Sequence, residues 1–176
     1  MTEGSAKAQP NAGWLRGAWV NAFPPLLPTM VGAFLWALAM FASAATVLVW
    51  DNWQTPDRIR TIAGFFAMGG IVAFPIGMIL ARFLSYRRAA ETAFAAGLVS
   101  LAAASFVAIA GLFALEYRSY YAEWHAETFT RVWFFQFVFT IAVALYQFAV
   151  LGLRLFFPVG FIALILAALW FARQPR

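Results

Sequence analysis

The chain has 176 residues, 64% hydrophobic and 11% charged, with a mean hydropathy of +0.80. A soluble domain carries about 25% charged residues because its surface must be hydrated, so this chain has too few to cover itself in water and its expected solvent is lipid. The net charge of +5 comes from Lys and Arg scattered at the ends of apolar runs, which argues against nucleic-acid binding; the absence of cysteine excludes disulfides, thiolate metal sites and cysteine nucleophiles.

Residues 1–28 read as a polar leader followed by a short interfacial helix. Residues 1–11 are small and polar, the composition of a disordered segment. Trp14, Leu15, Ala18, Trp19, Ala22 and Phe23 then recur at helical spacing, with Arg16 and Asn21 off that face. Such a helix lies in the membrane interface, apolar side down. Pro24, Pro25 and Pro28 break the pattern before the first long apolar run. That run begins too late for a cleavable signal. Its Ala42-Ser43-Ala44 has the small-x-small look of a cleavage site, but more apolar residues follow it.

Residues 29–176 contain five apolar segments, expected to span at about 29–50, 62–81, 92–115, 132–153 and 155–172. Backbone polar groups in hydrocarbon must be satisfied within the segment, so each is expected to be a helix. The fold class is therefore an all-α membrane bundle of about five helices. The last two segments are separated on a length argument. A continuous helix from Val132 to Ala172 would run about 60 Å at 1.5 Å per residue, against a hydrocarbon core of about 30 Å. Gly152, Arg154, Pro158 and Gly160 supply the breakers. Arg154 is expected at a membrane surface, snorkelling to the headgroups on the same side as Arg87 and Arg88. With five crossings the Lys and Arg residues divide evenly between the two sides. With both termini inside, the balance favours the inside, and the compact "RFLSYRR" loop also favours an N-terminus inside.

Three features could carry function. The third segment shows Ala96, Ser100, Ala104 and Ala108 every four residues, a ridge that lets helix backbones approach closely. The second carries Gly64, Gly69, Gly70, Pro75 and Gly77, either a kink or ordinary membrane-helix packing. In the fourth, Gln136, Thr140, Gln147 and Arg154 fall on one helical face. Amides facing lipid are costly, so this stripe is expected to face other helices, a partner, or a polar pathway. The loop 116–131 is an aromatic belt, and its lone His125 between Glu123 and Glu127 lacks the second histidine of a strong metal site. No nucleotide-binding, hydrolase or zinc-protease motif occurs, and no carboxylate falls inside an expected span.

These features predict no catalytic residue, metal or cofactor. They predict a multi-pass protein of a bacterial inner (cytoplasmic) membrane, not an enzyme, acting through helix–helix contacts as an accessory or assembly subunit. Its expected partners are the lipid bilayer and a membrane protein or a second copy of itself, with no nucleic acid. The competing expectation is a small oligomeric transporter or channel using the polar face of the fourth segment.

Overall fold

The computed structural model describes residues 12–52 and 54–174. The leader 1–11, expected to lack structure, lies outside them. The described residues form helices joined by short irregular connections, with no strand among them. In chain order the α-helices are α1 (Ala12–Ala22), α2 (Leu26–Asp51), α3 (Pro56–Leu84), α4 (Ala90–Tyr121), α5 (Arg131–Gln147) and α6 (Val159–Ala172). Four segments are long and apolar enough to cross a membrane: Leu26–Asp51, Pro56–Leu84, Ala90–Trp124 and Arg131–Phe156.

Local chemistry sets the ends. Pro28 sits in the first turn of α2, where its missing N–H costs nothing. Asn52 closes α2 in a left-handed conformation (φ 50°) that Asn tolerates well, its N–H donating to the Val49 carbonyl. Pro56 opens α3, and Asp57 in its first turn complements the helix dipole. Thr130 caps α5 by accepting from the Trp133 N–H at 3.1 Å.

The central helix is α3, packed between α2 and α4. Three glycines make this approach possible, among them Gly69, where a Cβ would lie 3.1 Å from the Ile109 Cα of α4. A Cβ at Gly70 would lie 3.1 Å from the Ala37 Cα on α2, and one at Gly77 would lie 3.0 Å from the Leu101 Cα on α4. Gly69, Gly70 and Gly77 are thus packing notches, Gly64 faces open space, and the helix runs on through Pro75 without interruption. On α4, Ala96, Ser100 and Ala104 are buried and Ala108 is half-buried, so the ridge faces into the bundle. Trp36 of α2 donates its indole N–H to Ser105 Oγ of α4 at 3.0 Å. Large apolar side chains such as Phe34, Leu35, Val107 and Phe139 cover the outside, a surface that water does not solvate well.

Helix α1 lies across one end of the bundle. Ala18 and Ala22 are fully buried on it, while the Trp14 and Trp19 rings meet Phe83 of α3 at 6.3 and 5.0 Å. Its remaining bulky residues, Leu15 and Val20, stay exposed, as does Phe23 just beyond its end.

The region around Arg154 is less regular than a simple turn between two helices. After α5 the chain winds through a wide π turn (Phe148–Gly152) and a tight 3-10 turn (Leu153–Phe156) before α6 begins. Phe148, Gly152, Leu155 and Phe156 of the break are buried, while Leu153, Arg154, Phe157 and Pro158 are exposed. Ser43 Oγ, on α2, donates to the Leu155 carbonyl at 2.7 Å and accepts from the Gly160 N–H at 2.9 Å. Ser43 lies eight residues before Asp51, about 12 Å along the helix axis. Helix α6 then runs back to the end of the bundle where α3 finishes, with Gln174 near Arg82. Arg154 itself pairs with Asp51, at the end of α2 and opposite to Arg87 and Arg88.

Candidate functional site

The break opens a cleft of about 400 Å³ between the ends of α2, α3, α4 and α5. Its floor is aromatic. Phe148 of the π turn meets Phe113 of α4 at 6.5 Å and Phe156 at 6.4 Å, and Phe156 meets Phe66 of α3 at 5.1 Å. Its rim is polar: Arg58 and Thr61 come from the first turns of α3, Glu116 from α4, Gln147 from the end of α5, and Arg154 from the 3-10 turn.

Arg154 Nη2 stands 3.1 Å from Asp51 Oδ2, with the side chains 42% and 26% exposed. Asp51 Oδ2 is buried but accepts no aligned hydrogen bond, so the contact is one of charge rather than of directed donation. Exposure at this level keeps such a pair near 0–1 kcal/mol, roughly the range of surface ion pairs. Its role is to hold the guanidinium at the rim. Arg58 and Glu116 form no ion pair among the described residues. The cleft therefore presents charges of both signs over an apolar floor, an arrangement that can hold an amphiphile. The Thr61 hydroxyl donates to the Asp57 carbonyl at 2.9 Å. Among the described residues no group of three His, Asp or Glu converges as a metal site.

The four residues of the expected polar face separate into two pairs. Gln147 and Arg154 meet at the cleft. Gln136 and Thr140 do not reach it. Gln136 Oε1 accepts from the Ala126 N–H at 2.8 Å, and Thr140 Oγ1 lies 3.2 Å from His125 Nε2. These two fasten the aromatic loop to α5, and His125 is engaged there rather than held between Glu123 and Glu127. The small ridge Ala96, Ser100, Ala104 and Ala108 belongs to packing; the Ser100 hydroxyl is buried without a hydrogen bond among the described residues.

Sequence reasoning missed Ser43, Asp51, Arg58 and Glu116. A lone arginine in an apolar run calls for a nearby acid, which is a signal for Asp51 or Glu116 but does not choose between them. Ser43 had no local signal, since its partners lie 112 and 117 residues away. No protein-family model matches this chain, and no curated protein or solved structure does either.

Proposed function

We propose that the chain is a non-catalytic, multi-pass protein of a bacterial inner membrane that acts through helix–helix contacts, as an accessory or assembly subunit. The observation that carries this reading is Tyr146. It is 70% exposed on the outer face of α5 and has no hydrogen-bond partner among the described residues. Its neighbour Leu145 lines a depression with Val107 of α4, nine residues before Glu116 and about 14 Å along that helix. On an outer apolar face a phenol O–H lacks a fixed partner, and a helix from another chain is suited to supply one. The segment Arg131–Phe156 is also the least packed of the four long ones, with 11% of its apolar window buried against 33–44% for the others. It leans on its own bundle and leaves a face for a neighbour.

In this reading residues 29–176 form one membrane domain behind the leader. Helices α2, α3 and α4 make three crossings. The broken path through α5, the two turns and α6 makes a fourth, in place of two separate ones. Both described ends then share a side with α1, and the Arg82, Arg87 and Arg88 cluster favours the cytoplasm for that side.

The cleft favours a second reading, a small oligomeric transporter or channel. Discontinuous membrane helices often line solute sites, and Gln147, Arg58 and Glu116 stand at such a discontinuity.

One pair of experiments separates the two. A photo-crosslinking amino acid at position 146, in native membranes, is expected to capture a single protein adduct of discrete mass. Capture of lipid alone counts against a partner on this face. Gln147→Leu removes a single interhelical polar group, worth about 0.6 kcal/mol on average in membranes. Cells carrying it at normal protein level are expected to behave like the parent. Loss of phenotype with the protein folded and still in its complex would overturn the accessory-subunit reading in favour of a pathway.

A further inference from the structure

At the opposite end of the bundle a second cavity, about 450 Å³, opens where α1, the end of α3 and the end of α6 meet. Arg82, Ser85 and Arg87 line it together with Asn21, Tyr86 and Gln174, over the buried ring of Phe171. Two arginines line this space, and no carboxylate lines it among the described residues.

The donors are left without acceptors. Arg82 Nε is buried with no hydrogen-bond partner, and Arg82 Nη2 reaches only Gln174 Oε1 at a long 3.5 Å. Ser85 is 1% exposed, and its hydroxyl makes no hydrogen bond among the described residues. A buried N–H without a partner is costly, and two like charges facing one cavity add to that cost. Both costs are relieved by an anion with several acceptor oxygens. The forked guanidinium matches phosphate in particular, where two parallel N–H groups donate to two oxygens.

Backbone geometry brings the second arginine in. Arg87 has φ 55°, a left-handed conformation that side chains other than Gly, Asn and Asp seldom adopt. It sits in a tight turn closed by the Arg88 N–H donating to the Ser85 carbonyl at 3.0 Å. Glycine would fit this backbone with less strain, yet the sequence places an arginine there.

We propose that this cavity is a phosphate-binding site. Its level in the fold matches membrane headgroups, since Trp14 and Trp19 of α1 flank the same end of α3. Basic pockets between helices at the membrane surface are suited to anionic lipid heads. The same donors would also take a soluble phosphate, and the test distinguishes the two sources. The proposal concerns the other end of the molecule from the cleft and does not rest on the accessory-subunit reading.

The test uses the full chain in neutral detergent, with dioleoylphosphatidylglycerol, dioleoylglycerol and inorganic phosphate as probes, followed by native mass spectrometry and thermal melting. The parent is expected to retain and be stabilised by the phospholipid and not by dioleoylglycerol, which has the same chains without the phosphate. Arg82→Gln and Arg87→Gly should each weaken that binding about tenfold or more. Arg87→Gly relieves the left-handed strain, so its ligand-free melting temperature should match or exceed the parent's; this separates binding from folding. If millimolar inorganic phosphate displaces the lipid with the same arginine dependence, a phosphate site stands and its occupant is soluble. Equal binding of both lipids, or binding unchanged in both arginine variants, overturns the proposal.

Discussion

A helix broken inside an apolar bundle frees backbone groups that water cannot reach, and each must find another partner. Ser43 meets two of these needs at once, accepting from the Gly160 N–H and donating to the Leu155 carbonyl. Its side chain is fully buried, so no solvent replaces it. Ser43→Ala strands both groups, and each buried unsatisfied group costs about 1–3 kcal/mol. Ser119 provides the comparison. Its hydroxyl donates to the Leu115 carbonyl at an exposed position on α4, where water substitutes. Ser43→Ala is therefore expected to lower the melting temperature in detergent by several degrees and Ser119→Ala to leave it nearly unchanged. Matching losses would remove Ser43 from its structural role. This residue was illegible in the sequence for a physical reason. A hydroxyl in an apolar run carries no trace of a partner more than a hundred positions later, and locally it resembles a cleavage motif. Arg154 was the reverse case. Its isolation made it conspicuous, but only its pairing with Asp51 shows which end it faces.

At the scale of elements, helix positions were legible because apolar length and proline placement are local properties. The observed α2, α3 and α4 contain the expected cores and extend beyond them at both ends. The break near Gly152 to Gly160 was also legible from its breakers. Its depth was not, because depth is set by Ser43 and by the packing of α6 on α2 and α4. The polar stripe illustrates the same limit. Spacing places Gln136, Thr140, Gln147 and Arg154 on one face, but the loop before α5 folds back to engage the first two. The small ridge on α4 leads to a sharper test. Ala104 is 7% exposed and faces the bundle, while Ala103 beside it is exposed. Adding the same side chain at each position separates packing from composition. Ala104→Leu overpacks the contact, which typically costs about 1–3 kcal/mol. Ala103→Leu adds an apolar group to the outer surface and should be neutral in detergent. Equal melting temperatures for the two variants would show that the ridge has room to spare.

For the whole molecule the deciding quantity is the number of crossings, because it sets which surfaces share a compartment. Apolar length alone suggests five, since the two segments beyond Val132 are each near spanning length. The proposed reading has four. Helix α6 has 14 residues, about 21 Å of helix against about 30 Å of hydrocarbon. It starts at Ser43, well inside the bundle, and ends at Gln174 beside Arg82. The two arrangements differ at one testable place. With four crossings the end of α6 lies on the same side as the start of α4; with five it lies on the side of the α2–α3 connection. The chain has no cysteine, so a single introduced thiol reports unambiguously. Gln54→Cys marks the α2–α3 connection, Ala90→Cys marks the start of α4, and Arg173→Cys marks the end of α6; all three positions are exposed. An impermeant maleimide added to intact cells is expected to label the Gln54→Cys variant alone, and permeabilised cells should show all three variants labelled. Labelling of the Gln54→Cys and Arg173→Cys variants from one side, with the Ala90→Cys variant protected, would restore the fifth crossing. It would also place the phosphate cavity, which Gln174 helps to line, across the bilayer from its own arginines, a geometry that the contact between Gln174 and Arg82 forbids.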